Sequence, residues 1–292
     1  MACGSDCRPT GSGRASVPFA AQTPGGRSPG GIPMTRRLLA LVALTAWLTG
    51  APTVAAAADY HHIHLIATSA AEAKEWYMTH MGCTDYGRHN ACAAGDTLII
   101  FFEREPTGPS VGSGVDHIGF SFPDLAAKMA SFEAAGIRIL EPMREIDGLF
   151  KLAFIEDPWG TKIEVVEDTE WLGFHHLHLR SADPAAALDW YEHIFAGERD
   201  SLKGRIAGLR YGTVWLLISQ HDGELAPTEG RAFDHLGWQF PDLSSAAEEI
   251  KGKGVDFTME PRPFTNPLGE DMLISFVVGP DGVRIEIVQP RV

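Results

Sequence analysis

Short stretches of alternating apolar and polar residues recur along the chain, and each precedes a stretch with apolar residues at helical spacing. The alternating stretches, at residues 60–67, 116–122, 174–180 and 234–240, are predicted strands. Each helix-like stretch begins at a capping residue and ends at a glycine, as in the segment from Ser69 to Gly82. Further short apolar runs follow every helix. The pattern therefore predicts a unit of one strand, one helix and about three strands.

A histidine occupies the same place in the first strand of every unit. These histidines are separated by 55, 59 and 59 residues, and they are His62, His117, His176 and His235. A period of this size indicates one supersecondary unit copied four times. The repeat also places a side chain that can bind a metal at the same structural point in each copy.

The second and fourth repeats end with the same motif. A turn of the form Pro-x-Gly, at 158–160 and at 280–282, leads into a last strand with a glutamate four residues after the glycine. Those glutamates are Glu164 and Glu286. Because side chains alternate along a strand, each glutamate points away from the isoleucine that precedes it.

The first fifth of the chain precedes the repeats and needs its own interpretation. Residues 1–33 are rich in Gly, Pro, Ser and Arg and have no apolar period, so we expect a disordered leader that is not part of the translated protein. Residues 34–58 read as a signal peptide, with Arg36 and Arg37 before an apolar run and A-x-A sites after it. That run is short for a membrane anchor. We therefore expect export, to the periplasm or outside the cell, without stable membrane insertion.

The charge balance narrows the range of partners. The whole chain has 24 basic and 38 acidic side chains, of which the first 58 residues contain five and one. The remainder carries 19 basic and 37 acidic side chains, a net charge of −18. This excess of negative charge argues against nucleic acid or an anionic membrane as a partner and favours a small-molecule substrate. The oligomeric state cannot be predicted.

Two cysteines, Cys83 and Cys92, lie within the repeats. If Gly87 and Arg88 form a two-residue hairpin turn, the two cysteines face each other on paired strands. A disulfide is then plausible in an oxidising compartment, and two free thiols are an equal alternative.

Several motifs together resemble those of the vicinal oxygen chelate superfamily of glyoxalases, bleomycin-resistance proteins and extradiol dioxygenases. They are the Asp-His-Ile-Gly and Asp-His-Leu-Gly sequences at 116–119 and 234–237, the Trp-Tyr pairs at 76–77 and 190–191, and both Pro-x-Gly-x-x-x-Glu endings. The resemblance covers about residues 59–292. It implies an α+β fold in which four βαβββ modules pair into two glyoxalase-like domains, 59–168 and 169–292, each a cupped, barrel-like mixed sheet.

The resemblance also implies a site with two histidines and one carboxylate in each domain. The expected triads are His62, His117 and Glu164 in the first domain, and His176, His235 and Glu286 in the second. Such triads bind a divalent ion of Fe, Mn, Ni or Zn and leave coordination positions open for a substrate. The alternative is that these residues are ordinary half-buried strand positions. We expect a metal in at least one domain.

Three further residues are candidates for catalysis. His64 and His178 lie two residues after the first histidine of their strands and on the same face, which departs from the pattern of the family. They are candidates for proton transfer, for substitute ligands, or for a hydrogen bond deeper in the cup. Glu103 is the only candidate in the first domain for the fourth, carboxylate ligand of glyoxalases, although a charge at the surface end of a strand is the better explanation.

Among the functions of this superfamily, the sequence favours a metal-dependent lyase or isomerase of glyoxalase type. Such an enzyme acts on a small molecule with vicinal oxygens through a metal-stabilised enediolate, with Glu103, His64 or His178 as the base. The predicted export argues against glutathione as a cosubstrate, and the sequence shows no basic cluster that would hold its carboxylates.

Two other functions are less well supported. An extradiol Fe(II) dioxygenase would have a tyrosine where this chain has Phe154 and Phe276, and a further histidine, yet no histidine follows His235. A non-catalytic drug- or metabolite-binding protein could line its cup with tryptophans. The candidates are Trp76, Trp159, Trp190, Trp215 and Trp238, although core packing is the better explanation for most of them.

Overall fold

The computed structural model describes residues 58–266 and 269–290. The expected leader at 1–33 and residues 34–57 of the expected signal peptide lie outside the described residues. In the part of the chain that is described, no helix is long and apolar enough to span a membrane.

The described residues form four consecutive βαβββ repeats. The first consists of β1 (Asp59–Ala67), α1 (Ala70–Met81), β2 (Thr84–Arg88), β3 (Ala91–Ala94) and β4 (Thr97–Glu103). The second consists of β5 (Val115–Ser121), α2 (Leu125–Ala134), β6 (Arg138–Glu145), β7 (Lys151–Glu156) and β8 (Lys162–Val166).

The third and fourth repeats continue the same order. The third consists of β9 (Gly173–Ser181), α3 (Pro184–Phe195), β10 (Glu198–Leu202), β11 (Ile206–Tyr211) and β12 (Val214–Gln220). The fourth consists of β13 (Phe233–Gln239), α4 (Leu243–Gly252), β14 (Phe257–Thr265), β15 (Asp271–Val278) and β16 (Arg284–Pro290), with a single 3-10 turn (Pro280–Gly282) before β16. The predicted α+β repeat is confirmed.

Each helix begins at the capping residue that the sequence indicates. Ser69 and Asp183, for example, accept hydrogen bonds from backbone N–H groups three residues further on, which satisfies a donor that the helix leaves free. The C-terminal end of α3 differs from the expectation, because Ala196 rather than Gly197 takes the left-handed conformation, at φ 54°. Gly197 has another function, since a Cβ atom there would lie 2.5 Å from the ring of Tyr211.

The strands form two eight-stranded mixed sheets, and each sheet takes strands from both halves of the chain. The strand order is β14-β15-β16-β13-β1-β4-β3-β2 in one sheet and β10-β11-β12-β9-β5-β8-β7-β6 in the other. The first strands of repeats one and four, β1 and β13, pair antiparallel at the centre of the first sheet. Likewise β5 and β9 pair at the centre of the second.

The cups are therefore built by repeats one and four and by repeats two and three. The expectation that residues 59–168 form one cup and residues 169–292 the other is wrong on this point. All four first strands carry the same histidine and the same alternation, so the sequence gives no local reason for one pairing over another. The number of cups, and the order of one strand, one helix and three strands within each repeat, are as predicted.

The aromatic side chains pack mainly in the core between the helices and the sheets. Trp238 is fully buried and stacks on Phe195 with ring centroids 4.0 Å apart. Trp76, Trp159 and Trp190 are partly buried against the same apolar cluster. Core packing rather than an aromatic cup therefore explains these tryptophans.

The hairpin between β2 and β3 turns at a different place from the one predicted. Arg88 pairs with Ala91, so the two-residue turn is His89-Asn90 and not Gly87-Arg88. Cys92 consequently pairs with Asp85, and Cys83 immediately precedes β2. Both cysteines are buried free thiols, and a hydrogen bond with Cys92 together with burial raises the pKa of Cys83.

The sheet pairing predicts that the two halves of the chain need each other. When residues 59–168 and 169–292 are produced as separate, tagged and untagged polypeptides, we expect them to purify together as a one-to-one complex. In either half alone, two strands lose the partner that the other half supplies, because β1 pairs with β13 and β5 pairs with β9. Unpaired strand edges tend to associate. Affinity capture followed by a mass measurement in solution checks this. Two halves that fold as monomers and do not capture each other would contradict the pairing.

Candidate metal centres

Four buried side chains that can bind a metal converge in the first sheet. They are His62 and His64 on β1, His235 on β13 and Glu286 on β16, and one donor atom from each lies within 4.8 Å of the others. The Nε2 atoms of His62, His235 and His64 lie 2.9, 3.1 and 3.7 Å from Oε2 of Glu286. Three imidazoles and one carboxylate from two distant repeats thus surround one point, which we call the first centre.

The register of three adjacent strands produces this convergence. In the antiparallel pair of β1 and β13, His64 lies opposite His235 and His62 lies opposite Gly237. In the parallel pair of β13 and β16, Gly237 lies beside Glu286. A Cβ atom at Gly237 would lie 2.1 Å from the His62 ring. The glycine of the Asp-His-Leu-Gly sequence therefore leaves the space that the histidine of the partner repeat occupies.

The second sheet repeats the arrangement. The second centre consists of His117, Glu164, His176 and His178, again with one donor atom each within 4.8 Å of the others. The Nε2 atoms of His117 and His176 lie 2.9 and 3.1 Å from Oε2 of Glu164. Gly119 lies opposite His176 and would place a Cβ atom 2.1 Å from its ring.

These centres correct the composition of the expected triads. The pairs His117–Glu164 and His235–Glu286 are brought together as expected, but His62 joins Glu286 and His176 joins Glu164. The exchange follows directly from the pairing of β1 with β13 instead of β5. All six residues of the expected triads lie in a centre, and each centre contains one more histidine.

Glu103 lies outside both centres. Its carboxylate is exposed and accepts a hydrogen bond from the backbone N–H of Ala70, 3.2 Å away, at the start of α1. The β4 residues beside His62 and His64 are Leu98 and Ile100, neither of which offers a donor. Glu103 therefore stabilises the start of a helix. The fourth donor of the first centre is His64 and not the carboxylate that was expected.

Aspartates that precede the histidines orient them from behind. Oδ1 of Asp234 accepts from Nδ1 of His235 at 2.5 Å, and Asp116 accepts from Nδ1 of His117 at 2.7 Å. Asp234 is itself held by Arg104 at 2.7 Å and by Arg284 at 2.9 Å. A proton kept on Nδ1 by the aspartate would leave the lone pair of Nε2 directed at a metal bound in the centre. The Asp-His sequence was recognised as a motif, but its aspartates were not recognised as orienting groups.

His61 and His175 also have a function that sequence reasoning missed. Nδ1 of His61 lies 2.8 Å from Nδ1 of His62, and Nδ1 of His175 lies 2.8 Å from Nδ1 of His176. Each can therefore fix the ring of its neighbour in the same way as the aspartates do. Because alternation places successive residues of a strand on opposite faces, this contact could not be anticipated from the pattern.

Burial and close contacts shift the pKa of all four donors at the first centre. Burial lowers the pKa of His62 and, together with the charges of His235 and His62, lowers that of His64 well below its usual value. Burial opposes ionisation of Glu286, but hydrogen bonds from His235 and His62 outweigh it and hold the pKa of Glu286 well below its usual value. For His235 the hydrogen bonds to Asp234 and Glu286 outweigh burial and raise the pKa.

Both centres fit a divalent metal ion. Buried polar atoms in proteins nearly always have a hydrogen-bond partner. Yet Nδ1 of His64 and Nδ1 of His178 are buried and have no such partner among the described residues. Imidazole and carboxylate donors together match Fe, Mn, Ni and Zn. A cation at each centre would also relieve the crowding of donor atoms around one carboxylate oxygen.

The first centre opens into a cavity of about 540 Å³. His62, His64 and Glu286 are part of its lining, and apolar side chains such as Phe102 and Phe276 form much of the wall. This volume lies within the range of cavities that hold small molecules. The first centre can therefore be reached by a ligand.

Apolar side chains also surround the second centre. They form a separate cluster of buried residues, Phe150, Leu152, Phe154, Val166, Leu202, Trp215 and Leu217. Trp215 lies beside His176 in the register where the first sheet has Leu98 beside His62. One strand further out, Asp200 pairs with Gly208 where the first sheet has Arg88 paired with Ala91. The two centres thus share their donors and differ in what covers them.

The glycine contacts predict a selective effect on metal binding. In a His117→Ala background, which disables the second centre, we expect Gly237→Ala to weaken Zn²⁺ binding by about ten- to hundred-fold, because the new methyl group displaces the His62 ring. Competitive titration with a Zn²⁺ indicator measures the affinity. Gly252→Ala is the matched control, since a Cβ atom there would contact nothing within 4 Å. Equal Zn²⁺ affinity in the two variants would contradict the packing.

Comparison with known proteins agrees with this architecture. The sequence profile of the Glyoxalase/Bleomycin resistance protein/Dioxygenase superfamily matches residues 59–165 and 173–287. A chloroplastic protein of Arabidopsis thaliana named probable lactoylglutathione lyase is 31% identical over 186 residues, which span 59% of this chain and 52% of that protein. The chain thus spans about half the length of this relative. A lactoylglutathione lyase of Neisseria meningitidis serogroup A is 28% identical over 127 residues, covering 40% of this chain and 89% of that enzyme.

A solved structure shows the same fold. Glyoxalase I from Zea mays superposes with a TM-score of 0.62 at 17% identity, over 80% of this chain and 92% of that one. At this identity the likeness concerns the fold alone. The profile matches, which cover both halves of the described structure, establish that the chain belongs to the Glyoxalase/Bleomycin resistance protein/Dioxygenase superfamily.

Proposed function

We propose that the protein is a divalent-metal-dependent lyase or isomerase of glyoxalase type that acts on a small molecule with vicinal oxygens. The observation that carries the proposal is the convergence of four buried donors, His62, His64, His235 and Glu286, in the wall of a cavity that a small molecule can enter. The relatives named lactoylglutathione lyase support the same class of reaction.

Three residues are assigned to the metal ion. Nε2 of His62 and of His235 and a carboxylate oxygen of Glu286 are the closest group of donors at the first centre. When bound, the ion supplies a Lewis acid for two adjacent oxygens of the substrate, which makes the hydrogen on the neighbouring carbon more acidic. Asp234 and His61 keep the two rings oriented for this task.

His64 is assigned to proton transfer. It lines the cavity, it lies further from Glu286 than the other two histidines, and its Nδ1 has no partner. Burial and the neighbouring histidines lower its pKa, so its ring is neutral at physiological pH and can accept a proton. It can therefore take the proton from one carbon of the substrate and return it to the adjacent carbon. Its stacking on His235, at 4.2 Å between ring centroids, restricts its orientation.

The first centre is the better candidate for catalysis than the second. A substrate needs a path to the metal and room beside it, and the first centre has both. The second centre lies beside the apolar cluster that contains Phe150, Trp215 and Leu217, and we assign a metal bound there to stability. We accordingly assign turnover to the cup built by repeats one and four.

Ring-cleaving dioxygenase chemistry is less well supported by this site. Phe276 lies opposite Glu286 and places its ring edge-on to His235, at 5.1 Å between centroids. It lines the cavity where a tyrosine hydroxyl would be needed for proton transfer. A stoichiometric content of Fe²⁺ with oxygen-dependent turnover would favour the dioxygenase, whereas Zn²⁺, Ni²⁺ or Mn²⁺ favours the proposed class.

The assignment of turnover to one centre can be tested with two matched variants. His235→Ala and His117→Ala each remove the equivalent histidine from one centre. We expect His235→Ala to lower kcat/KM by about a hundred-fold or more, because loss of the Lewis acid removes several kcal/mol of transition-state stabilisation. We expect the kcat/KM of His117→Ala to stay close to that of the wild type. A panel of α-hydroxycarbonyl compounds and hemithioacetals, followed by NMR in D₂O, detects both turnover and hydrogen exchange at carbon. The opposite order of effects would move catalysis to the second centre, and equal activity in all three proteins would refute the proposal.

The role of His64 predicts a separate effect on rate. His64→Gln should lower kcat by about 10²- to 10⁴-fold, because the proton acceptor is lost, while the metal content and KM change little. Because the pKa of His64 is depressed, the wild-type rate should fall only as the pH drops well below 6.5, and the variant should lack this acid limb. Metal analysis and pH–rate profiles check both points. A variant that loses its metal together with its activity would make His64 a fourth ligand instead of the base.

A further inference from the structure

We propose that the substrate of the first centre carries an anionic group, such as a carboxylate, apart from its vicinal oxygens, and that Arg88 binds this group. The inference rests on the proposed function and adds the substrate class. Arg88 closes β2 and belongs to the lining of the cavity that contains His62, His64 and Glu286.

The guanidinium of Arg88 has donor capacity that the protein does not use. The side chain is 11% exposed, and its terminal nitrogen donates to Oε2 of Glu270 at 2.8 Å. Its Nε is buried and has no hydrogen-bond partner among the described residues. A guanidinium presents its N–H donors in a fixed plane that suits two-point binding of a carboxylate. The unused donor therefore indicates a ligand rather than a structural contact.

Asn90 provides a second unsatisfied polar atom in the same cavity. Its amide nitrogen donates to the carbonyl oxygen of Phe101 at 3.2 Å, while its Oδ1 is buried without a partner. A buried acceptor without a hydrogen bond costs free energy of folding unless a ligand or a water molecule donates to it. The free N–H of Arg88 can donate to an anionic group of a ligand, and Oδ1 of Asn90 can accept from a hydroxyl or N–H group next to it.

The charges around the cavity also favour an anion. Its lining contains Arg88, Arg104 and Arg284 against Glu229 and Glu286. Arg104 and Arg284 share the fully buried carboxylate of Asp234, and Arg284 also lies 3.5 Å from Glu229, so two carboxylates offset their two charges. Among the described residues, Arg88 forms an ion pair only with Glu270, whose side chain is 60% exposed and therefore well solvated. A divalent cation at the centre would add further positive charge.

This finding corrects the expectation from the sequence that no basic cluster is present. The three arginines are separated in sequence, and they meet because β2, the end of β4 and β16 belong to one sheet. The second cup has no basic residue at this position, since the strand register places Asp200 where the first cup has Arg88. Arg88 is thus specific to the first cup.

Two ligands that differ only in charge test the anchor. Hydroxamates present two vicinal oxygens to a metal without being turned over. We expect Zn²⁺-loaded protein to bind 4-carboxybenzohydroxamate about ten-fold or more tighter than its 4-carbamoyl analogue, measured by isothermal titration calorimetry. Arg88→Gln should remove this preference by weakening binding of the acid alone, and Arg88→Lys should restore part of it. The affinity for the carbamoyl ligand confirms that each variant is folded.

Two further variants control for general electrostatics. Arg210→Gln removes the same charge from β11 in the other sheet and should keep the preference. Glu270→Gln removes the competing carboxylate and should keep or increase it. An unchanged preference in Arg88→Gln, its loss in Arg210→Gln, or no binding of the acid to wild type would overturn the anchor. The proposed function fails in a different way, namely if the carbamoyl ligand binds equally well after the metal is removed with a chelator.

Discussion

The antiparallel pairing of β1 with β13, and of β5 with β9, is the constraint on which both centres depend. This pairing places the first strand of one repeat beside the first strand of another. A histidine ring of one strand then lies over a glycine of the other, where a side chain would block it. The parallel neighbours β16 and β8 then deliver a glutamate to the same point. Since a one-residue slip would turn every donor to the other face, the register is fixed as firmly as the pairing.

The local features of the fold could be predicted from the sequence, and the long-range pairing could not. The caps at Ser69 and Asp183, the strand alternation and the period of the histidines are local signals, and the α+β repeat followed from them. The partner of His62 was predicted wrongly because Glu164 and Glu286 occupy equivalent places in identical motifs. Only the topology distinguishes them. The orienting contacts of Asp234 and His61 were missed for a related reason, because they depend on side-chain geometry behind the strand.

The two cups show how one architecture can serve two purposes. Both centres consist of three histidines and one glutamate, yet the first opens into a cavity lined by Arg88, Asn90 and Phe276, and the second lies beside an apolar cluster that contains Phe150, Trp215 and Leu217. The surrounding residues differ while the donors stay the same. The ability to bind a metal therefore depends on the strand register, and the surroundings of the metal depend on the neighbouring strands.

The division of each centre between the two halves of the chain has a consequence for how the gene can change. A substitution of His62 affects the site of Glu286, 224 positions away, and not that of Glu164, which is far nearer in sequence. Within related proteins, correlated substitutions should therefore link the first quarter to the last and the second to the third. If recombination replaced one half of the gene with the corresponding half from a distant relative, both centres would change at once. Each would then combine residues of the original protein with residues of the relative.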